Sequence, residues 1–482
     1  MKPLKLSVLL LLVCFVFEMT ICRNAGASIT LTECSTLSVQ GETYLVVNDI
    51  TTSGNCLIIG ADDITLDGQG HTLAGNGTGS GVYLNGRTGV TVKDLNVNNF
   101  DFGIYLYASS NNTLSGNTSS NNNEGIRIRD GGANTLVNNI TSNNNGRGIY
   151  FYAPGSSDNW VVGNTATHNG STGIYFHSNS SNNTITGNTS NDNSDYGIWT
   201  GSGSNNYAAD NTTSRNRIGF LLGGSHNIVV DNTITGNNIY GILLTGAHLN
   251  ITGNTISNND WGIYSEAAAA GNSTFTGNTI SHNNRGVVFY GLTTETTLYN
   301  NFFNNTYNFY SIYSPPGASW NTVKTPGLNI VGGPFLGGNF WGSPDGAGFS
   351  QTCTDGDFDG ICDTAYVIVP GEADNLPLAQ ASPAVLMEGI MVFFDSAVDE
   401  GTLSGYGRIP ALANLRLEFM RLLLEIAQQF IQQGRTPAAC ALLQRAHLRT
   451  DGQGAPQDFV VGEAVPELAR LLQSLDSLTC EP

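Results

Sequence analysis

The chain has 482 residues and a formal net charge of −19 at pH 7. A chain this acidic repels nucleic-acid phosphates and anionic membranes, and it weighs against bare polyuronates as ligands. Beyond the first 27 residues no apolar run is long enough to cross a bilayer.

Residues 1–27 read as a secretory signal peptide. Lys2 and Lys5 precede an apolar run from Leu6 to Phe17, too short for a membrane span, and Ala25-Gly26-Ala27 suits cleavage after Ala27. Ile21 is not the small residue that a lipoprotein site at Cys22 would need. Export places the protein outside the cell, in the periplasm or on the cell surface, where cysteines oxidise. Of the eight cysteines, Cys14 and Cys22 leave with the signal. The other six allow about 15 pairings. The local pairs Cys34–Cys56, Cys353–Cys362 and Cys440–Cys480 are expected, since each falls within one segment.

Residues 28–56, with a strand at Thr43–Val47, are expected to cap the open apolar end of a repeat region. That region is residues 57–381. A glycine returns at 103, 125, 148, 173, 197, 219, 241, 262 and 286, and an asparagine at 117, 139, 164, 188, 211, 232, 254, 278 and 301. The period of about 21 to 25 residues is that of a solenoid. After each glycine, apolar residues alternate (Ile104, Leu106; Ile126, Ile128), which is strand periodicity, and no window carries a helical stripe. The LxxLxL core of leucine-rich repeats is absent, and propeller blades need about twice the period. The fold class predicted is all-β: a right-handed parallel β-helix of about 12 coils, on the order of 55 Å long at the interstrand spacing. Glycine and asparagine are expected at the sharp turns, with one stacked amide ladder from Asn117 to Asn301. Many of these asparagines begin N-x-[ST] sequons, read as by-products of the repeat.

The phrases ITLDGQGHTL, GIYLYASSNNTLSGNTSSNNN and GGNFWGSPDGAG…DNLPL resemble the NosD-like β-helix family of secreted proteins, over roughly Leu57 to Leu378. The resemblance implies the fold and a kinship with carbohydrate-binding and sugar-hydrolase β-helices. It also raises a periplasmic, copper-related accessory role as one alternative.

After Asn304 the repeat decays, and GGNFWG is expected to plug the last coil with Phe340 and Trp341. In CTDGDFDGICDTAY, residues Asp355, Asp357, Asp359 and Asp363 with Gly360 match the start of a calcium loop, although Tyr366 stands where an EF-hand has its bidentate Glu. An acidic, disulfide-closed turn is the other reading. From Ser382 the composition changes, and 382–482 is expected to be a small α-helical domain. Leu412, Leu415, Leu417, Phe419, Leu422, Leu423, Ile426 and Phe430 form a helical face ended by Gly434. Thr436-Pro437 opens a second helix with Thr436 as N-cap, and another spans about Glu463 to Leu478.

For chemistry, Asp101 and Glu124, with Arg127 and Arg129 beside them, are the best candidates for a carboxylate pair of a lyase, hydrolase or epimerase. Asp195 is expected to pair with Arg217 one coil on. His226 and His248 share a register and would be a copper pair or two stacked turn histidines. No nucleotide, zinc or nucleophile-elbow motif occurs. Two residues past each glycine an outward column runs Tyr83, Tyr105, Arg127, Tyr150, Tyr175, Trp199, Leu221, Leu243, Tyr264 and Val288. Such a strip suits sugar rings, so the favoured reading is a non-catalytic rod. It binds extracellular or cell-surface polysaccharide through Tyr105, Arg127, Tyr150, Tyr175 and Trp199, or serves as a surface structural protein.

Overall fold

The computed structural model describes residues 28–152, 155–266, 269–291, 294–311, 317–452 and 457–480. The expected signal peptide, 1–27, lies outside them. The chain forms two compact units, one up to Thr165 and one from Ala166 onward.

Three short strands and three corners make each turn. In the first unit, Phe102–Tyr107, Thr113–Ser115 and Thr118–Ser120 form one turn. Each pairs in parallel with its equivalent a turn later: Ile104 with Ile126, Leu114 with Leu136, Ser119 with Thr141. The second unit is built alike, with Ile198 opposite Phe220, Ala208 opposite Val229 and Thr213 opposite Ile234. The fold is therefore a parallel β-solenoid of about 12 turns with a small α-helical C-terminal region. The core is a column of single inward side chains: Leu106, Leu114, Ile128, Ile185, Ile198 and Phe220 are all 0 % exposed.

Each corner needs one left-handed residue. Asn111, Gly116 and Asn121 take it in one turn, at φ 58°, 64° and 55°. The next residue is in each case an asparagine pointing inward, Asn112, Asn117 or Asn122, at most 1 % exposed. Its amide donates to the asparagine one turn on, as in Asn117 Nδ2 to Asn139 Oδ1 at 2.9 Å, and to a strand carbonyl one turn back, as in Asn139 Nδ2 to Leu114 O at 2.9 Å. Where one ladder was expected there are three, one per corner. The first unit holds Asn112–Asn134, Asn117–Asn139–Asn164 and Asn122–Asn144. In the second unit the predicted column runs from Asn188 through Asn211, Asn232, Asn254, Asn278 and Asn301, and continues to Asn339. Asn183–Asn206 and the run from Asn193 to Asn305 are its companions. Sequons that begin on these buried asparagines are closed to glycosylation.

The recurring glycines do a different job from the one expected. Gly103, Gly125, Gly197 and Gly219 are not left-handed; the turn glycines are another set, among them Gly116, Gly163, Gly187 and Gly253. A Cβ on Gly103 would lie 1.9 Å from Ser119 Oγ, and one on Gly197 would lie 2.7 Å from Gly219 O and 2.8 Å from Asn216 Nδ2. There is no room for a side chain between this strand and the corner ladder. Gly103 and Ile104 are both buried, so the alternation slips by one there, and Phe102 and Tyr105 share the outer face.

The segment expected as a cap, 28–56, is wound as solenoid: Ile29–Leu31 pairs with Thr43–Val46, and Ser35–Leu37 with Leu57–Ile59. All three local disulfides are formed. At the far end, Phe340–Gly342 adds a parallel strand to Phe302–Asn304, with Trp341 stacked on Phe303 at 4.8 Å and Phe340 on Phe302 at 4.8 Å. Asp374, 0 % exposed, fastens this strand by accepting from Asn339 N at 2.7 Å and Trp341 Nε1 at 2.9 Å.

The C-terminal region holds four main helices, Pro383–Asp399, Pro410–Gln432, Thr436–His447 and Val465–Cys480. The sequence reading missed the first and misplaced the inner face of the second. Met420, Leu424 and Ala427 are fully buried, whereas Leu412, Leu415, Phe419 and Leu422 are 40, 46, 48 and 47 % exposed. The helix carries two apolar stripes, and periodicity alone does not say which one meets neighbours. Arg435, not Thr436, is the N-cap of the third helix.

The corner ladder and the buried carboxyl each have a measurable consequence. The Asn211 side chain makes four ladder contacts: it accepts from Asn188 N and Nδ2 and donates to Ile185 O and Asn232 Oδ1. Asn211→Ala should lower stability by about 2–4 kcal/mol, because it strands buried donors and acceptors; an unchanged urea midpoint would show that the ladder contributes nothing. Burial pushes the Asp374 carboxyl up to about 6, against the pull of its hydrogen bonds. The folded state then holds a proton that the unfolded chain releases near pH 4. Stability should therefore fall as pH rises from about 4 to about 6, and Asp374→Asn should remove that part of the slope in urea titrations.

Candidate functional site

The glycine-bearing strands present their outer face as a regular array. In the first unit, Tyr105 lies in register with Tyr83 and Arg127, and Arg127 with Tyr150. The neighbouring column places Tyr107, Arg129 and Tyr152 in register. A row of two arginines thus sits between two rows of tyrosines. Arg127 lies 4.9 Å from the Phe102 ring centre, 4.8 Å from Tyr152, and 5.6 Å from both Tyr105 and Tyr150. Arg147 lies 4.3 Å over Tyr150, which helps to leave that ring only 4 % exposed. The expected open strip is in part covered by its own arginines.

Glu124 stands beside this array, 6 % exposed. Its two oxygens are taken by Arg127 Nη1 at 3.2 Å and Arg147 Nη1 at 3.0 Å. Asp101, its proposed catalytic partner, accepts from Asn123 Nδ2 at 2.9 Å and passes its backbone carbonyl to Glu124 N. An acid–base pair needs one carboxyl free to exchange a proton with substrate, and a carboxylate held by two guanidiniums is poorly suited to that.

The second unit carries an aromatic shelf. Trp199 is in register with Tyr175 and stacks on it at 4.3 Å and 22°. Tyr196 leans on Trp199 at 4.8 Å, and Tyr240 stacks on Tyr264 at 4.8 Å and 10°. Beneath them Ile218, Leu221 and Leu243 form a small apolar bed, 2, 7 and 6 % exposed. Tyr175 is 7 % exposed, while Trp199, Tyr196, Tyr240 and Tyr264 are half-buried. The phenols of Tyr196, Tyr240 and Tyr264 are pushed up from their ordinary value, chiefly by burial and then by charges including the Asp195 and Glu266 carboxylates, so they remain hydrogen-bond donors. Asp195 meets Arg217 at 3.0 Å as expected.

The residues that sequence reasoning missed stand just before the glycines: Phe102, Arg147, Tyr196, Tyr240 and Trp261. Strict alternation counted from the glycine turns them inward, but the slip at Gly103 and its equivalents turns them out. Recurrent aromatic and charged residues at that place were the available signal.

The acidic loop brings three of its four carboxylates together. Asp355, Asp357 and Asp363 have oxygens within 4.8 Å of one another. Asp359 turns away to an ion pair with Lys324. Asp355 accepts from the Asp359 and Gly360 N–H groups at 3.1 and 3.0 Å, and burial, with the Asp359 and Asp357 charges, raises its pKa. Like charges gathered at one point are the condition a hard cation would relieve, and three of the four expected carboxylates meet here. Elsewhere in this unit His226 and His248 stack face to face at 4.9 Å and 6°. Both are left-handed corner residues, and parallel rings do not aim their in-plane nitrogens at a common point.

Parallel three-stranded turns joined by asparagine corners define a β-helix repeat protein. Residues 179–346 match the family described as "Periplasmic copper-binding protein (NosD)", and residues 16–213 match "Right handed beta helix region"; over these stretches the chain is similar to NosD-like right-handed β-helix proteins. No curated protein matches it. Among solved structures it is similar to a mutant of the periplasmic alginate epimerase AlgG, at 12 % identity over 58 % of this chain and 75 % of that one, with a TM-score of 0.39. A mannuronan C-5 epimerase A-module from Azotobacter vinelandii matches at 18 % identity over 61 % of this chain and 82 % of that one, TM-score 0.36. The catalytic domain of an alpha-1,3-glucanase matches at 16 % identity over 61 % and 63 %, TM-score 0.37. Likeness at this level carries no chemistry from one protein to another.

Millimolar calcium should raise the melting temperature of the parent by native-state binding, and Asp357→Ala should abolish the rise. No rise in the parent would leave the loop a disulfide-closed turn.

Proposed function

We propose that this chain is an exported, non-catalytic β-helix protein that binds extracellular or cell-surface polysaccharide on the outer face of its glycine-bearing sheet. The observation that carries the reading is the shelf in the second unit, where Trp199, Tyr196, Tyr240 and Tyr264 stack over a buried aliphatic bed. Rings fixed by their neighbours lose little freedom on binding, and their faces match the apolar faces of sugar rings. The tyrosine hydroxyls and the Asp195 and Glu266 carboxylates around them suit sugar hydroxyls. Three disulfides among the described residues favour an oxidising compartment. A polysaccharide-cleaving enzyme is less well supported, because Glu124 is held by two arginines. A copper-related role rests on the family description and gains nothing from the stacked histidines.

Adding the right polymer should shift or quench Trp199 fluorescence. Trp199→Ala with Tyr264→Ala should weaken binding by about tenfold or more while leaving the circular dichroism of the solenoid unchanged. A double variant that binds every retained polymer like the parent would make the shelf purely structural.

A further inference from the structure

The two outer faces differ in charge. Around the shelf of the second unit lie Asp195, Asp260 and Glu266; of the arginines there, Arg217 is paired with Asp195 and Arg285 lies 5.1 Å over the Trp261 ring. The array in the first unit gathers Arg127, Arg129 and Arg147 on one face of three adjacent strands. Against them stand Glu124, buried and held by two of the three, and Asp130, whose oxygen is 3.5 Å from Arg129 Nε. Asp101 lies at the edge of the same strand, bonded to Asn123.

The guanidiniums have more donor capacity than the protein uses. Arg127 Nε is shielded from water and has no hydrogen-bond acceptor, and Arg129 Nε meets only the Asp130 oxygen, at 3.5 Å. Buried donors normally find partners, and those without one mark strain or a missing ligand. These side chains are held by rings instead: Arg129 lies 5.3 Å over Tyr152 and 5.4 Å over Tyr107. They nevertheless remain partly open, with 18, 42 and 33 % of the Arg127, Arg129 and Arg147 side chains exposed. A planar fork fixed by stacking is set for bidentate pairing with a carboxylate or a sulfate, which a neutral sugar does not offer.

The overall charge of −19 weighs against an acidic polymer at long range but not at this face. Charges more than about 8 Å apart are largely screened at physiological salt, so a ligand on this face responds to the arginines beside it.

We propose that the arginine row between the tyrosine rows of the first unit is a subsite for the anionic group of an acidic polysaccharide, a uronate carboxylate or a sulfate ester. The anion pairs with Arg127 and Arg129 while the sugar ring rests on Tyr105 or Tyr107. The inference rests on the polysaccharide-binding reading and names the ligand class for a second part of the same sheet.

The test is affinity electrophoresis of the full chain through gels holding polygalacturonate, dextran sulfate or neutral dextran. The parent should be retarded by an acidic polymer, less so as salt rises. Arg129→Gln, which removes no contact to Glu124, should weaken this by about tenfold, and Arg129→Lys should recover only part, since it keeps the charge without the fork. Both variants should melt close to the parent, because Arg129 is half-exposed and its ion pair with Asp130 is long, at 3.5 Å. Retention by polygalacturonate alone assigns a carboxylate, and by dextran sulfate alone a sulfate ester. Retention by dextran only, or an Arg129→Gln variant retarded like the parent in acidic gels, overturns this inference and leaves the polysaccharide reading standing. Retention by none of the three, with Trp199 fluorescence also unmoved, overturns both.

Discussion

A carboxamide buried at a corner is the interaction on which everything else depends. A chain that turns three times in about 22 residues leaves strand carbonyls and N–H groups facing inward at every corner, where water does not reach. Asparagine answers this because one side chain offers both a donor and an acceptor, and the same residue a turn away offers the complement. Asn254 Oδ1 accepts from Asn232 N and Nδ2, while Asn254 Nδ2 reaches Asn278 and Val229 O. Up to the last turn, the left-handed residue before each ladder asparagine makes that inward turn, so corner conformation and corner hydrogen bonding are one device. It also explains where the scattered histidines fall: His168, His226, His248 and His282 all occupy left-handed corners, a conformation that short polar and imidazole side chains tolerate.

Much of this was legible. The period, the inward aliphatic residues, the predicted asparagine column, the local disulfides and the plug at Trp341 can all be read from spacing and residue type. Two things were not. The glycines look like turn residues because glycine is permissive, yet their role is to leave room for Ser119 from a neighbouring strand or Asn216 from the corner ladder. Such a contact is visible only once the turns are stacked. The slip in alternation that comes with it hid Phe102, Tyr196 and Tyr240 on the face that strict alternation assigns to the core. In the helical region the sequence contains two apolar stripes on one helix, and the choice between them belongs to the neighbouring helices, among them Pro383–Asp399, which the apolar pattern did not reveal.

The candidate site was legible as a column and not as a surface. Register placed Tyr105, Arg127 and Tyr150 together, but the coverage of Tyr150 by Arg147 and the clamping of Glu124 depend on long side chains folding back across neighbouring strands. The difference in charge between the array of the first unit and the shelf of the second arises in the same way, from where a few arginines settle. Net charge, the only electrostatic quantity a composition offers, averages over that difference.

Because most corners repeat the same bond to the corner above, the protein's length is counted in whole turns. Asn211 and Asn232 are separated by 21 residues and make equivalent contacts. Excising Asn211 to Asp231 would join the left-handed Asp210 to Asn232 and restore all three ladders and all three strand registers at once. Loss of a single residue from the same stretch would shift every later inward side chain off its column. Natural variation in such a chain is therefore expected to arrive in steps of one coil, lengthening or shortening the outer face without altering the cross-section that supports it.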